Sequence, residues 1–185
     1  MSRVRGESQS LSERERFIEK ALENYESPLI GYAATILNDL ELARDVVQEA
    51  FIRLCCQDFD LVEKHLKAWL FTVCRNRALD ILRKRNRCKP LDDAQWHAIP
   101  ATGNQPDENA DQVERILQLG IYLARLSENQ RDVIILKFQQ GLSYLEIHEV
   151  TGLSTGNIGF LIHSGLKRMR ELLPPELHPS HHDSP

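Results

Sequence analysis

Between Trp69 and Lys89 the chain sets an aromatic ring, a hydroxyl, an amide and a run of guanidinium groups at helical spacing. Projected at about a hundred degrees per residue, Trp69, Thr72, Asn76, Asp80, Arg83 and Arg87 form one stripe. Such a stripe suits single-stranded nucleic acid: a ring stacks on a base, an amide bonds a base edge and guanidinium groups hold phosphates. A solvated basic face with a half-buried Trp is the plainer alternative. Arg77 projects nearer the core edge, where pairing with an acid is the other option.

A second constellation lies near the carboxyl end. In "LSTGNIGFLIHSGLKRMRELL" Ile158, Leu161, Ile162, Gly165 and Met169 fall on one side, and Gly156, Asn157, Phe160, His163, Ser164 and Lys167 on the other. Ser154, Thr155 and Arg168 flank that outer side. Asn can bond an adenine edge and Phe can pack on a thymine methyl, so this face suits duplex DNA. Glycine in a helix interior costs roughly 1 kcal/mol relative to Ala. Three of them, at 156, 159 and 165, therefore call for a close approach to something.

A third set, Asp45, Gln48, Glu49 and Ile52, shares the non-core face of a helix, and an Ile among acids suits protein docking. The chemistry of bond making is missing: no carboxylate pair, nucleophile with a base or phosphate-cradling glycine loop is present. Cys55, Cys56, Cys74 and Cys88 show neither a disulfide framework nor a CxxC pair, and read as buried or incidental thiols. Cys88, His97, His178, His181 and His182 lack ligand spacing, so no metal or cofactor is expected.

Helices must position these residues. A chain of 185 residues with 42% hydrophobic content suits one ordinary core or two small ones. No sustained strand alternation occurs, so the expected fold is all-α, with two small helical domains joined by a flexible acidic linker. Residues 1–12 are polar and expected to fray. Periodicity starts near Glu13, with Phe17, Ile18, Ala21, Leu22 and Tyr25, and Pro28 interrupts or kinks it. Glu41 to Cys56 then puts Ala43, Val46, Val47, Ala50, Phe51, Leu54 and Cys55 inward, and Glu63 to Lys84 does so with Leu66, Leu70, Val73, Cys74, Ala78 and Ile81.

Residues 13–88 thus make the first domain, 89–111 the linker, 112–173 the second domain and 174–185 a disordered tail. Net charge is only −4, yet its distribution is uneven: Arg75 to Lys89 is strongly basic, whereas Asp92 to Asp111 holds five acids and no Lys or Arg. No apolar leader or membrane-length run is present, so a soluble cytoplasmic protein without membrane insertion is expected.

In the second domain Ser127 with Gln130 and Ser143 with Glu146 form capping boxes, Gly152 supplies a tight turn and Ser154 caps the last helix. Ile147, Leu153, Ile158 and Leu161 then fall where crossed helices touch, the pattern of a helix-turn-helix whose second helix enters the major groove. His148 departs from it, since that position usually takes a small residue.

With these pieces placed, "ARDVVQEAFIRL", "AWLFTVCRNRALDILRKR" and "LSENQRDVIILKFQQGLSYLEIHEVTGLSTGNI" together resemble the extracytoplasmic-function (ECF) sigma factors of the sigma-70 family. The resemblance spans about Glu13 to Leu173 and implies a transcription initiation factor, not an enzyme, which binds core RNA polymerase and promoter DNA. It implies that Asp45, Gln48, Glu49, Phe51 and Arg53 lie in the segment docking on the polymerase clamp helices, with Phe51 supporting that face from beneath. Asn76, surrounded by Arg75, Arg77, Asp80 and Arg83, matches the segment that reads and opens the minus-ten element by capturing a flipped base. The last helix is assigned to the minus-35 element, the linker to a path toward the polymerase active site, and an anti-sigma factor is an expected partner.

The departure lies in that last helix. The common family pattern reads like Thr-Val-Lys-Ser-Arg-Leu-x-Arg-Ala, and this chain lacks its basic residues at 159, 161 and 164. A DNA-binding regulator that never joins polymerase is the rival reading. It has no use for the Asp45 to Ile52 surface.

Overall fold

The computed structural model describes residues 2–88 and 122–172, with side chains from Glu13 to Arg85 and from Tyr122 onward. Every regular element among them is helical. They fall into two units: one carries helices α1 to α4, the other the helix-turn-helix segments. The expected linker and tail, with His97, His178, His181 and His182, lie outside the described residues.

Helix α1 is one element from Ser2–Leu37 and runs through Pro28 without a break, where sequence reasoning allowed an interruption. Burial explains why: Leu29, Tyr32, Ala33 and Ala34 follow the proline directly and are all 0% exposed. Packing of that magnitude outweighs one missing backbone bond. Phe17 is only half-buried and meets the Phe59 ring edge-on at 4.5 Å.

Asn38 ends α1 in the left-handed region (φ 51), its N–H donating to the Ala34 carbonyl at 2.9 Å. Asparagine tolerates that conformation better than most residues. The neighbouring Asp39 accepts from the Leu42 N–H at 3.2 Å and so starts α2, Leu40–Cys55. Helix α2 buries Ala43, Val46, Val47, Ala50, Phe51 and Leu54. Cys55, expected on that face, is exposed, because α2 ends there and the N–H groups of Cys56 and Gln57 turn back onto Arg53 and Leu54. Cys56 is exposed too. Arg14 of α1 donates to the Cys55 and Gln57 carbonyls, satisfying acceptors that the helix end leaves open.

After the short α3, Phe59–Val62, and one 3-10 turn, α4 runs from Leu66–Cys88. Ala68, Leu70, Phe71, Cys74 and Ala78 are its buried residues, while Leu66, Val73 and Ile81 are half-buried. Helices α1, α2 and α4 pack pairwise against one another, with Tyr32 and Phe71 edge-on at 5.2 Å in the middle. Burial pushes the Cys74 thiol up to about 12, so it behaves as a small apolar side chain.

In the other unit, α5 (Glu128–Ile134) passes into a π turn over Ile135–Gln139. Gln140 N–H donates to the Ile135 carbonyl and Leu142 N–H to that of Leu136, both at 3.0 Å. The longer loop leaves Phe138 61% exposed, while Leu136 and Leu142 stay fully buried. Helices α6 (Tyr144–Thr151) and α7 (Thr155–Leu172) complete the unit. Their core is Val133, Leu136, Leu142, Ile147, Val150, Ile158 and Ile162, with Leu126, Ile134 and Met169 clustered beside it.

Candidate nucleic-acid interface

The helix-turn-helix is assembled by its caps. Ser127 and Gln130 bond each other's backbone N–H groups, and Ser143 and Glu146 do the same, so both expected capping boxes are present. Gly152 takes φ 73, a left-handed conformation that favours glycine. Ser154 accepts from the Asn157 N–H at 3.3 Å and starts α7. His148 does not obstruct the crossing: its ring is exposed, and Nδ1 lies 2.7 Å from the Leu153 carbonyl. A carbonyl only accepts, so Nδ1 carries the proton and ties α6 to Leu153, two residues before α7.

On α7 the expected division largely holds. Ile158, Ile162, Gly165 and Met169 are buried and Leu161 half-buried. Thr155, Gly156, Asn157, His163, Lys167 and Arg168 are exposed, as is Phe160 at 67%. Ser164 departs from the outer set. It is half-buried, its Oγ accepts from Gln130 Nε2 at 3.1 Å and donates to the Leu161 carbonyl at 3.2 Å, so it braces α7 against α5.

The three glycines separate cleanly. A Cβ on Gly165 meets Ile134 Cδ1 at 2.7 Å, inside ordinary carbon contact, and Gln130 Cβ at 3.4 Å, so a larger residue there makes the end of the Ile134 side chain shift. A Cβ on Gly156 or Gly159 meets nothing within 4 Å. The described fold gives no reason for either.

On α4, Asn76, Asp80 and Arg83 are exposed in one line, with Asp80 and Arg83 paired at 3.0 Å. Trp69 and Thr72 are half-buried, and Thr72 Oγ1 donates to the Ala68 carbonyl at 2.7 Å, which ties its hydroxyl to its own helix. Arg75 is half-buried. The side chain of Arg87 lies outside the described residues. Arg85, not singled out from the sequence, approaches Asp39 at 4.0 Å.

Arg77 takes the alternative that its projection allowed. Its Nε donates to Glu49 Oε2 at 2.6 Å, while Arg53 Nη2 donates to Glu49 Oε1, also at 2.6 Å. Desolvation raises the Glu49 carboxyl, but the bonds from Arg77 and Arg53 outweigh it and hold its pKa below the usual carboxylate range. On the same helix Asp45 and Gln48 are exposed, Ile52 is 59% exposed, and Phe51 is buried beneath them. Asp45, Gln48 and Ile52 therefore share one exposed face, with Glu49 and Arg53 engaged with each other at its edge.

Sequence reasoning missed the apolar surface before the recognition helix, where Phe138, Tyr144 and Leu145 are exposed and Lys137 lies over the Tyr144 ring at 5.2 Å. The π turn that exposes Phe138 leaves no mark on hydrophobic periodicity. No group of three or more His, Cys, Asp or Glu able to hold a metal occurs among the described residues. No described helix is long and apolar enough to cross a membrane.

Residues 21–88 match the family of Sigma-70 region 2, and residues 117–169 that of Sigma-70 region 4. The ECF RNA polymerase sigma factor SigX of Bacillus subtilis is 30% identical, over 84% of this chain and 84% of its own. The ECF sigma factor RpoE of Cereibacter sphaeroides is 34% identical, over 71% and 70%. Among solved structures, the sigma factor RpoE of Bartonella quintana in complex with the anti-sigma factor NepR superimposes with a TM-score of 0.60 at 25% identity, covering 83% of this chain and 94% of that one. Two sigma regions in order, with relatives at 30% and 34% identity, lead to one conclusion: the chain belongs to the ECF sigma factors, the promoter-directing initiation subunits of RNA polymerase.

Proposed function

We propose that this sigma factor divides its work among three helices. The outer face of α2, Asp45, Gln48 and Ile52 over Phe51, docks on core polymerase. Helix α4 receives the opened minus-ten strand along Asn76, Asp80 and Arg83, where Asn76 bonds the edge of a captured base. Helix α7 enters the major groove of the minus-35 element with Asn157, Phe160, His163 and Lys167 outermost. It reads by close approach, with Gly156 and Gly159 letting its backbone sit near the base edges.

The observation that carries this reading is the exposure of one apolar residue on each of two otherwise polar faces, Ile52 on α2 and Phe160 on α7. Burying them requires a protein and a duplex respectively. The catalysis of RNA synthesis stays with polymerase, in the cytoplasm, where the promoter is. An anti-sigma factor binds this chain in the resting state, as the Bartonella sigma factor has one bound in its solved complex.

The test is a double change on α2. Full-length chain is expected to co-purify with core polymerase and to support promoter-specific transcription in vitro, whereas Gln48→Lys with Ile52→Glu loses both. Undiminished co-purification of that variant overturns the assignment of α2. A wild-type chain that binds DNA but never polymerase overturns the whole reading.

A further inference from the structure

Helices α2 and α4 pack against each other, and each buries small side chains beside larger ones, Ala43 and Ala50 on α2 and Cys74 and Ala78 on α4. Polar ties also join them. Asp39, before α2, faces Arg85 at 4.0 Å, and Glu49, within α2, holds Arg77 at 2.6 Å. The second tie is short and partly shielded, with side chains 35% and 34% exposed.

Both oxygens of Glu49 are engaged. Oε1 accepts from Arg53 and Oε2 from Arg77, each at 2.6 Å, so one carboxylate bridges the edge of the docking face to the promoter helix. Arg77 immediately follows Asn76, the residue placed against the flipped base. Fixing the Nε of Arg77 therefore fixes the angular setting of Asn76 about the α4 axis.

Resting on the sigma-factor reading above, we infer that Glu49 and Arg77 are positioning residues for promoter opening, and that neither makes its principal contact with polymerase or DNA. Their inter-helix bond sets the angle at which α4 presents Asn76, and Arg53 holds the carboxylate in the geometry that does so. Charge-assisted bonds with matched geometry are the strong ones, and a misplacement of about 1 Å suffices to slow a positioned reaction substantially. The two residues are a unit, so a change in one is repaired by a complementary change in the other.

That reciprocity supplies the test. Promoters are first identified by sequencing transcripts made with core polymerase, this chain and genomic DNA. Core affinity is measured by fluorescence titration, strand opening at saturating core by permanganate reactivity, and folding by the thermal melt of the full chain. Glu49→Gln and Arg77→Glu are each expected to slow opening roughly tenfold, about the factor one charge-assisted bond supplies, with core affinity unchanged within about threefold. The exchange Glu49→Arg with Arg77→Glu, made together with Arg53→Glu so that every charge of the network is reversed, is expected to restore opening to within about threefold of wild type.

Opening that stays lost in the folded exchange variant identifies Arg77 as a DNA contact and overturns the inference. So does a loss confined to core affinity, which makes Glu49 a polymerase contact, and so do single variants that open at the wild-type rate. If the exchange variant does not fold, Arg77→Met alone against Arg77→Met with Glu49→Met asks the same question, because an apolar pair can replace an ion pair without leaving a buried charge. Recovery in the double variant supports positioning, and its absence overturns it. Failure of wild type to transcribe with core polymerase overturns instead the functional reading on which this rests.

Discussion

Gly159→Ala should make the protein more stable and worse at its task. The site lies inside α7, and an added Cβ meets nothing within 4 Å, so no packing penalty opposes the gain in helix propensity. That gain is about 1 kcal/mol, or roughly 4–8 °C in Tm for a unit of this size. Gly165→Ala is the internal control. Its Cβ lies 2.7 Å from Ile134 Cδ1, about 1 Å inside ordinary contact, and Ile134 is only 6% exposed. Gln130, the second neighbour, is held by its bond to Ser164. Overpacking costs about 1–3 kcal/mol against the same gain of about 1, so this variant is expected between neutral and about 2 kcal/mol destabilised. Urea unfolding of both full-length variants measures the pair of signs. Holoenzyme binding to promoter duplex supplies the other half: Gly159→Ala is expected to weaken it roughly tenfold, about 1.4 kcal/mol, if the backbone approaches the bases closely. A stabilised Gly159→Ala variant that binds promoter as tightly as wild type refutes the close-approach reasoning outright.

Two further outcomes follow from charge. The absence of basic residues at 159, 161 and 164 should flatten the slope of log affinity against log salt by roughly 0.9 per missing phosphate contact, about 2.7 in all, relative to a family member basic at all three. Equal slopes over about 50–200 mM salt rule that out. Because the pKa of Glu49 is lowered in the folded chain, its contribution to stability is fully present above the ordinary glutamate range and is lost as pH falls through the depressed value. Glu49→Gln should therefore flatten the acid limb of stability against pH, below about pH 4.5, and an unchanged acid limb in that variant rules out the Arg77 and Arg53 bonds as its source.

Local signals were legible in the sequence, and long-range ones were not. The caps at Ser127, Ser143 and Ser154 and the turn at Gly152 are written within a few residues, and each forms. The period of α2 predicted its buried set except at Cys55, where the helix ends. Thr72 and Ser164 lie half-buried with their hydroxyls bonded locally, which a projection does not show, because it assigns directions whereas a hydroxyl near the boundary turns to the nearest carbonyl or amide. Arg14 capping α2, 41 residues away, was invisible, since nothing local marks an arginine as a partner for a distant helix end. The Arg77–Glu49 bond, 28 residues apart, was foreseen only as an unnamed acid.

The π turn over Ile135–Gln139 has a consequence for how such a reader of DNA can change. One surplus residue in a helix advances everything after it by about a hundred degrees and about 1.5 Å. A wider loop absorbs that surplus, which keeps Leu136 and Leu142 inside while Phe138 is displaced outward. A single-residue insertion at this point can therefore be taken up in the turn, leaving the buried residues on either side, and the setting of the helices that follow, as they were.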